Sequence, residues 1–328
     1  MSSKAISAFL ADPSGIDLDQ FVWETFRRQY AQNAVYRSYC DLVHKDPDRV
    51  DQITDLPFLP IEFFKTKRVV SEGLPTDFYF TSSGTTASTV SKHFVPNLQL
   101  YQASFRSCFQ QFYGDISRYA VVALLPAYLE RTGSSLVYMV SDWIEQSKHT
   151  ASGFYLDDYA ALAEQLASLE KQQQPTLLIG VSFALLDFGA RFPLSLKHTI
   201  IMETGGMKGR RKEMVREELH RDLKKYFGVS EIHSEYGMTE LLSQAYAPSH
   251  GRFKTPPWMR VLARDTSDPF ALVAAGQIGG LNIIDLANQD SCAFIATQDL
   301  GRVYPSGEFE VLGRFDEAEI RGCNLMVL

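Results

Sequence analysis

A stretch rich in serine and threonine lies between two aromatic segments near residue 80. It reads FYFTSSGTTASTVSKHFV over residues 78–95 and contains one glycine, Gly84. Hydroxyls and successive backbone N–H groups between a strand and a helix can surround phosphate oxygens, and glycine allows close approach of the backbone. Lys92 could add a positive charge. The stretch predicts a phosphate-binding loop, with an exposed surface loop as the alternative. It lacks the GxxxxGKS or GxxxxGKT spacing of a P-loop NTPase.

The segment SEYGMTE at residues 234–240 combines an aromatic ring, a glycine, a hydroxyl and a carboxylate. Tyr236 could stack on a base, and Gly237 could form a turn. Thr239 could contact a phosphate, and Glu240 could bind Mg²⁺, because magnesium in proteins is commonly bound by one or two carboxylates together with phosphate oxygens. The alternative is a turn before a helix that Thr239 or Glu240 caps.

Two segments nearer the C-terminus add a carboxylate and an arginine. In TQDLGR, at residues 297–302, Asp299 could accept hydrogen bonds from both hydroxyls of a ribose, or it could be an ordinary turn aspartate. The second segment, GRFDEAEIRG at residues 313–322, contains Arg314 and mixes arginine with acidic residues. Its alternative is a charged surface hairpin. Each segment is ambiguous when it is taken alone.

A regular alternation of strand and helix patterns positions these segments and begins near residue 77. Continuous apolar runs, which are typical of strands buried on both faces, occur at 118–126, 175–180 and 197–204. Helical spacing of apolar residues predicts a helix at 157–174 and another at 208–227. The second helix has Val215 and Tyr226 in its apolar stripe and Gly228 as its C-terminal cap. Strands that alternate with helices indicate a parallel sheet.

The sequence on either side of this alternation has a different pattern. Residues 1–45 have helical spacing, and residues 55–66 contain two prolines among aromatics, which predicts an extended, packed connector. After about residue 245, short strands and turns indicate a small β-barrel or antiparallel subdomain. The predicted domains are therefore an N-terminal helical segment and connector at 1–76, an α/β core at 77–244 and a β-rich subdomain at 245–328.

Composition excludes several classes of protein. The net charge of −7 argues against nucleic acid as the main partner. The four cysteines include no CxxC pair, and the seven histidines show no HxxxH or HExxH spacing, so no zinc site is predicted. The N-terminus lacks a signal-peptide core, and no stretch approaches the length of a membrane span. We therefore expect a soluble, cytoplasmic protein with reduced thiols.

Taken together and in this order, the segments resemble the motifs of the adenylate-forming superfamily of acyl-CoA synthetases and ligases. That superfamily has a phosphate loop, a YGxTE segment, a TGDxG aspartate and a GRxDD hinge in the same order, and the resemblance covers roughly residues 55–322. Within it, this sequence looks closest to the acyl-protein synthetases of the bacterial bioluminescence fatty-acid reductase complex (the LuxE type). The segments that carry this closer resemblance are LPFLPIEFFKT, TSSGTT followed by SKH, LLPAYLERTGSSL, ETGGMKGRRKEM and EIRGC.

The resemblance implies the N-terminal-domain part of the adenylate-forming fold, with ATP and Mg²⁺ as cofactors. Residues 82–86 would contact the β- and γ-phosphates, and residues 205–207 would line the adenine with Tyr236 stacked on its face. Asp299 and Arg314 would hold the ribose, and the LLPAYLE segment would lie near the acyl carboxylate. The implied nucleotide-binding residues are Thr81, Ser82, Ser83, Gly84, Thr85, Thr86, Gly205, Gly206, Met207, Tyr236, Gly237, Asp299 and Arg314.

The candidate catalytic residues are Cys323, Glu240, Thr239 and Lys92. By the resemblance, Thr239 would touch the α-phosphate and Glu240 would ligate Mg²⁺. Most of the superfamily also uses a lysine on a C-terminal domain beyond the hinge, and because this sequence ends at Leu328 we expect that domain to be absent. Another cation would then be needed. The basic cluster MKGRRK at residues 207–212 is one candidate. Cations at a helix N-terminus oppose the helix dipole, so the cluster does not stabilise the predicted helix, and an anionic ligand would account for it. Lys92 is the other candidate. The alternative for the cluster is a solvated charged surface.

Cys323 is the candidate acyl acceptor. By the resemblance, the acyl group passes to a cysteine close to the C-terminus and then to a reductase partner. Arg321 could lower the pKa of the Cys323 thiol and favour the reactive thiolate. The alternative is that Cys323 packs as a small apolar residue. The other three cysteines, Cys40, Cys108 and Cys292, are predicted to be core residues.

The sequence thus indicates an acyl-protein synthetase that activates a fatty acid as acyl-AMP with ATP and Mg²⁺. The acyl group would then be held on Cys323 and passed to a protein partner, an acyl reductase. Two alternatives stay open at this point. One is a CoA or aryl-acid ligase of the phenylacetate-CoA ligase type, and the other is a nucleotide-binding subunit without catalysis. Neither the acyl chain length nor the oligomeric state follows from the sequence.

Overall fold

The computed structural model describes residues 3–82, 90–125, 133–156, 158–205 and 214–315. The helices formed by these residues are α1 (Ser3–Ala11), α2 (Leu18–Gln32), α3 (Ala34–Leu42), α4 (Phe63–Thr66), α5 (Leu98–Tyr113), α6 (Ser135–Ser147), α7 (Tyr159–Lys171), α8 (Ser182–Arg191) and α9 (Arg216–Phe227). The strands are β1 (Leu59–Pro60), β2 (Tyr79–Thr81), β3 (Lys92–Phe94), β4 (Ala120–Leu124), β5 (Gly153–Phe154), β6 (Thr176–Val181), β7 (Thr199–Thr204), β8 (His233–Tyr236), β9 (Ala245–Ala247), β10 (Met259–Arg264), β11 (Ile278–Asp285), β12 (Phe294–Val303) and β13 (Phe309–Arg314).

Contacts divide the described residues into two compact units. The first unit comprises Met1–Tyr79, Ala87–Leu100 and Pro257–Leu328, and we call it the antiparallel unit after its main sheet. The second comprises Phe80–Thr86 and Tyr101–Pro256, and we call it the parallel unit. The three-part division at residues 76 and 244 stays a prediction.

The parallel unit contains a six-stranded sheet in the order β5-β4-β6-β7-β8-β9. Strands β5 to β8 are parallel, and β9 pairs with β8 in the antiparallel sense. Every residue of β4 and β6 is buried. Strands buried on both faces require continuous apolar sequence, which confirms the strands predicted near 118–126, 175–180 and 197–204. Helix α7 buries Leu162, Leu166 and Leu169, one face of the predicted helix.

The antiparallel unit contains a five-stranded sheet in which β1, β12, β11 and β10 are neighbours and β13 also pairs with β12. Only the β1–β12 pair is parallel among these described strands. Helices α2 and α3 meet at Asn33, whose side chain caps α3 and also donates from Nδ2 to the carbonyl oxygen of Ser291. The ring of Tyr36 stacks on Phe294 of β12 at 5.9 Å between centroids, so the N-terminal helices pack on this sheet.

Two local predictions need correction. The connector at 55–66 is not wholly extended, because Leu59–Pro60 pairs with β12 and Phe63–Thr66 is a short helix. Proline tolerates both an edge position and the residues just before a helix. The helix predicted at 208–227 begins at Arg216 within the described residues. Val215 precedes it and is exposed rather than in the apolar stripe, whereas Gly228 caps the helix as predicted.

In the part of the chain that the structure describes, no helix has the length and apolar character that crossing a membrane requires.

Candidate functional site

The carboxyl ends of three parallel strands lie side by side in the parallel unit. Val181 of β6 is the register partner of Thr204 of β7, which in turn pairs with Glu235 of β8. The next residues along each strand therefore emerge together. Ligands of open α/β sheets bind outside the carboxyl ends of the strands. We call this region, residues 181–182, 204–205 and 235–237, the β6–β8 edge.

Two glycines at the β6–β8 edge have conformations or neighbours that disfavour a side chain. Gly205 has a φ of +70°, in the left-handed region that favours glycine. A Cβ atom added to Gly237 would lie 2.6 Å from Oε1 of Glu235, closer than van der Waals contact allows. Both positions leave backbone accessible next to the strand ends. A backbone without a side chain can be approached closely by a ligand.

Tyr236 ends β8 with its ring largely buried, at 8% exposure. The ring packs against Phe253 at 5.7 Å between centroids, and the hydroxyl lies 3.5 Å from Sδ of Met238. A ring held in this way has a fixed orientation, which is what a stacking platform for a base requires. The stacking itself stays a prediction.

Thr239 and Glu240 follow in a turn that the backbone N–H of Leu241 closes by donating to the carbonyl oxygen of Met238 at 3.2 Å. No helix begins here among the described residues, so the alternative of a helix cap is wrong. Glu240 is buried and Thr239 is partly exposed. In the described residues no group of three or more His, Cys, Asp or Glu side chains could hold a metal ion by itself. The donor set fits magnesium held by one carboxylate together with phosphate oxygens.

Glu235 immediately precedes Tyr236, and the sequence analysis assigned it no role. It is buried, and Thr204 donates a hydrogen bond to its Oε2. Burial and the nearby charge of Glu203 raise the pKa of Glu235 to about 7, although the Thr204 hydrogen bond acts in the opposite direction. Glu203 has a pKa below its ordinary value, despite its burial, because His220 and Arg216 stabilise the charge. Two buried carboxyls with opposite pKa shifts thus lie near the ends of the neighbouring strands β7 and β8, a pattern that often marks functional sites.

The first two residues of the predicted phosphate loop also belong to the parallel unit. Thr81 lies at the end of β2, and its backbone N–H donates to the carbonyl oxygen of Gly133 at 2.8 Å. Ser82 follows and is partly exposed. Other predicted residues lie outside the described residues, namely Ser83, Gly84, Thr85, Thr86, Gly206, Met207 and Cys323. The LLPAYLE segment from Pro126 onward and the basic cluster from Lys208 to Lys212 lie outside them too.

The remaining predicted residues belong to the antiparallel unit. Asp299 of β12 is the register partner of Arg314 of β13, and Nε of Arg314 lies 3.5 Å from Oδ1 of Asp299. Asp299 is buried, whereas the Arg314 side chain is 65% exposed. Because Asp299 lies within a strand, the alternative of a turn aspartate is wrong. Lys92 is exposed, and its ammonium lies 5.1 Å from the centroid of the Tyr79 ring.

Supporting contacts fix the backbone around Asp299. The guanidinium of Arg264 donates to the carbonyl oxygens of Leu281 and Thr297, and it also lies 5.5 Å from the centroid of the Phe315 ring. The hydroxyl of Thr297 accepts a hydrogen bond from the backbone N–H of Asp299. Arg264 therefore holds β11, β12 and the residue after Arg314 together. Sequence analysis did not identify it, because an arginine in a strand with alternating burial has no distinctive pattern.

The cysteines and His233 have core environments in the described residues. Cys40, Cys108 and Cys292 form no disulfide and are fully buried, as predicted. Burial raises the pKa of Cys292 to about 12, which keeps this thiol protonated at neutral pH. Nδ1 of the His233 imidazole lies 3.1 Å from the hydroxyl oxygen of Tyr113, and burial lowers the pKa of His233. This environment fits a satisfied core histidine.

Comparison with known families identifies the family of this chain. The sequence profile of the family described as "Acyl-protein synthetase, LuxE" matches residues 14–328. The chain belongs to the LuxE acyl-protein synthetase family. Membership confirms the predicted family and the prediction of an acyl-activating ligase.

Two curated relatives of this LuxE-family chain are named long-chain-fatty-acid–luciferin-component ligases. The protein from Aliivibrio fischeri is 24% identical over 336 residues, which covers 94% of this chain and 86% of the relative. The protein from Photorhabdus luminescens is 37% identical over 67 residues, which covers 20% of this chain and 57% of the relative.

Solved structures with the same fold are adenylate-forming enzymes. An ATP-bound chimera of MatB (RpMatB-BxBclM B3) has a TM-score of 0.55 at 17% identity, with 75% of this chain and 49% of that one covered. A 2-hydroxyisobutyryl-CoA ligase with a bound acyl adenylate (R3-HIB-AMP) has a TM-score of 0.62 at 11% identity, with 96% and 68% covered. This LuxE-family chain spans about half the length of the MatB chimera. The likeness confirms the predicted adenylate-forming α/β fold.

Proposed function

We propose that this chain activates a fatty acid with ATP as an acyl adenylate and then transfers the acyl group to a protein thiol. The family match over residues 14–328 carries the proposal. The placement of Gly205 and Tyr236 at neighbouring strand ends supports it, because both belong to segments that the sequence analysis assigned to adenine. The names of the two curated relatives support a long-chain fatty acid as the substrate.

The first step joins two anions, so the site must reduce their repulsion and align them. One oxygen of the fatty-acid carboxylate attacks the α-phosphorus of ATP, and a new P–O bond forms. The P–O bond to pyrophosphate breaks at the same phosphorus, so the products are acyl-AMP and pyrophosphate. Fixed dipoles and cations stabilise the charge that spreads over the phosphate oxygens, and correct alignment removes much of the entropic cost.

The parallel unit supplies the residues for the nucleotide and the phosphates. Tyr236 stacks on adenine beside the backbone of Gly205, and Thr239 donates from its hydroxyl to the α-phosphate. The Ser/Thr-rich loop that begins at Thr81 and Ser82 donates to the β- and γ-phosphates. Glu240 would hold Mg²⁺, which would supply positive charge to the phosphate oxygens.

Asp299 and Arg314 are the proposed ribose contacts. Asp299 is buried on β12, and Nε of Arg314 lies 3.5 Å from its Oδ1, so the carboxylate and the guanidinium lie together. Both ribose hydroxyls can donate to one carboxylate. Lys92 is exposed and follows the phosphate loop in sequence, so it supplies a positive charge for pyrophosphate.

The second step transfers the acyl group to sulfur. The Cys323 thiol loses its proton to solvent, and its thiolate attacks the carbonyl carbon of acyl-AMP. A C–S bond forms, the C–O bond to the phosphate breaks, and AMP leaves with the bonding electron pair. A partner protein that reduces acyl groups then receives the acyl chain from the thioester. Because the reaction consumes ATP and needs a reduced thiol, we place it in the cytoplasm.

Fatty-acid-dependent exchange of labelled pyrophosphate into ATP tests the first step. We expect exchange with the wild-type chain and a reduction of about 100-fold or more in Glu240→Gln, because a transition-state contact is lost. Glu145→Gln, which removes an exposed carboxylate from the same unit, is the matched control. Absence of exchange with every fatty acid from medium to long chain length would contradict adenylation.

Labelling with radioactive fatty acid tests the second step separately. Cys323→Ser should abolish the hydroxylamine-sensitive label on the protein and leave pyrophosphate exchange unchanged, because serine is a far weaker nucleophile than a thiolate. If the label survives in Cys323→Ser, another residue is the acceptor. If CoA replaces the protein as acceptor in the wild-type chain, the CoA ligase alternative is correct.

A further inference from the structure

A buried carboxylate one residue before the end of β7 has no role in the chemistry described so far. Glu203 is 3% exposed and lies among side chains from α8 and α9. Oε1 of Glu203 lies 3.6 Å from Nε2 of His220 and 3.8 Å from Nε of Arg216. Oε2 accepts a hydrogen bond from Ser182 at 2.9 Å. We call Glu203, Ser182, Arg216 and His220 the Glu203 cluster.

The cluster contacts Gly205 through Ser182. The hydroxyl of Ser182 lies 2.6 Å from the carbonyl oxygen of Gly205 as well as 2.9 Å from Glu203. A serine hydroxyl carries one hydrogen, so Ser182 shares it between the two acceptors. The position of the Gly205 carbonyl is thus coupled to the position of the Glu203 carboxylate. Gly205 is exposed and has a left-handed backbone conformation.

The cluster reaches Tyr236 through Arg216. The guanidinium of Arg216 lies 4.7 Å from the centroid of the Phe253 ring, and Phe253 packs against Tyr236 at 5.7 Å between centroids. A cation over an aromatic face is attracted to it, and the attraction is stronger where water is excluded. The charge of Glu203 holds Arg216 on one side and the Phe253 ring holds it on the other.

The cost of this arrangement indicates a purpose other than stability. Burial by itself disfavours the charge of Glu203, but His220 and the charge of Arg216 nearby outweigh it, so the pKa of Glu203 stays below its ordinary value. Buried ion pairs contribute little net stability compared with apolar packing of the same volume. Apolar residues between β7 and α9 would therefore serve the fold equally well. They would not orient the Gly205 carbonyl or Phe253.

We propose that Glu203 is a positioning residue that fixes Gly205 and Tyr236 in the geometry that binds the nucleotide. The inference rests on the proposed function, because that function assigns both residues to adenine. It assigns no contact between Glu203 and ATP. Glu203 acts through Ser182 on one side and through Arg216 and Phe253 on the other.

The test measures ATP affinity directly as well as in the exchange reaction. In Glu203→Gln the shape and one hydrogen-bond acceptor remain but the charge is lost, so the KM for ATP should rise about 10-fold or more. The KM for fatty acid should change little, and kcat should fall by less than about 3-fold. Calorimetric titration with ATP should give a matching increase in Kd.

The matched control is Asp142→Asn. Asp142 is another buried carboxylate of the parallel unit, paired with Arg106 and remote in sequence from the β6–β8 edge. This variant should lower the unfolding temperature without changing the KM for ATP. If Asp142→Asn raises the KM for ATP as much as Glu203→Gln does, the effect is general destabilisation and the positioning role is wrong. An unchanged KM for ATP in Glu203→Gln overturns it as well.

A second variant and a measurement on the wild-type chain cover the cases in which Glu203→Gln does not fold or the wild-type chain shows no exchange. If Glu203→Gln does not fold, Ser182→Ala removes the contact with Gly205 alone and should raise the Kd for ATP about 3- to 10-fold, and no change overturns the proposal. If the wild-type chain binds ATP but shows no exchange, the adenylation proposal is wrong while the titration still tests Glu203. If the wild-type chain does not bind ATP, both proposals are wrong.

Discussion

The two units hold their candidate nucleotide residues by different physical means. At the β6–β8 edge of the parallel unit, the carboxyls of Glu203 and Glu235 are buried and their pKa values shift in opposite directions. In the antiparallel unit, Asp299 is buried but its partner Arg314 is largely exposed. Buried charges depend strongly on their surroundings, whereas an ion pair with an exposed partner is screened by water. We therefore expect substitutions to have larger effects at the β6–β8 edge than at the Asp299–Arg314 pair.

The comparison predicts the largest effect at Glu235. Its pKa is about 7 in the folded chain, above the ordinary value of 4.5, so folding favours the protonated form. The associated stability is fully present below about pH 4.5 and is lost as the pH rises through about 7. The shift corresponds to about 3 kcal/mol. Glutamine resembles the protonated acid and does not titrate.

Urea unfolding of wild type and Glu235→Gln from pH 4.5 to 8 measures this effect. The free energy of unfolding of the wild type minus that of the variant should decrease by about 3 kcal/mol between about pH 4.5 and 7 and then level off. Glu145→Gln is the control for loss of one carboxyl. A difference that rises with pH would mean that Glu235 is ionised in the folded chain, and the contrast between the units would fail.

The elements that form the edge could be predicted from sequence to different degrees. Strands β4, β6 and β7 are buried on both faces and so consist of continuous apolar runs, which makes them predictable from a single sequence. Gly228 was recognised as a cap because a helix pattern ends there. The start of α9 at Arg216 was missed, since charged residues with good helix propensity precede it and nothing local marks the boundary.

Individual roles at the edge were harder to predict than its position. Both Glu203 and Glu235 lie within segments that were quoted for the resemblance, ETGGMKGRRKEM and SEYGMTE. For Glu203, the available signal was an acidic residue inside the apolar strand β7. The opposite pKa shifts depend on partners that are distant in sequence, such as Ser182 for Glu203 and Thr204 for Glu235. Neighbouring residues on a strand point to opposite faces, so the register of β7 and β8 decides which partner each carboxyl meets.

A smaller effect is expected from the backbone of Gly205. Alanine at a φ of +70° is strained, so Gly205→Ala should lower the free energy of unfolding by about 1–2 kcal/mol. Because the Gly205 carbonyl is coupled to Glu203, the KM for ATP should also rise, which the exchange assay measures.

The variant Gly276→Ala separates the effect of backbone strain from the effect of the location of Gly205 at the β6–β8 edge. Gly276 lies in the antiparallel unit with a φ of +83° and no atom within 4 Å of an added Cβ, so the strain is comparable. Its variant should lose similar stability while the KM for ATP stays unchanged. Equal increases in KM for the two variants would show that strain anywhere in the chain impairs ATP binding, and the special status of the β6–β8 edge would be lost.

The smallest effect concerns the Asp299–Arg314 pair. A double-mutant cycle with Asp299→Asn and Arg314→Gln should give a coupling free energy of unfolding below about 1 kcal/mol, because Arg314 is 65% exposed and its charge is screened. The coupling should weaken further when salt is raised to about 1 M, where the Debye length falls to about 3 Å. Coupling above about 2 kcal/mol that persists in high salt would mean that the pair is as well shielded as Glu203. In that case the Asp299–Arg314 pair would be as sensitive to substitution as the β6–β8 edge.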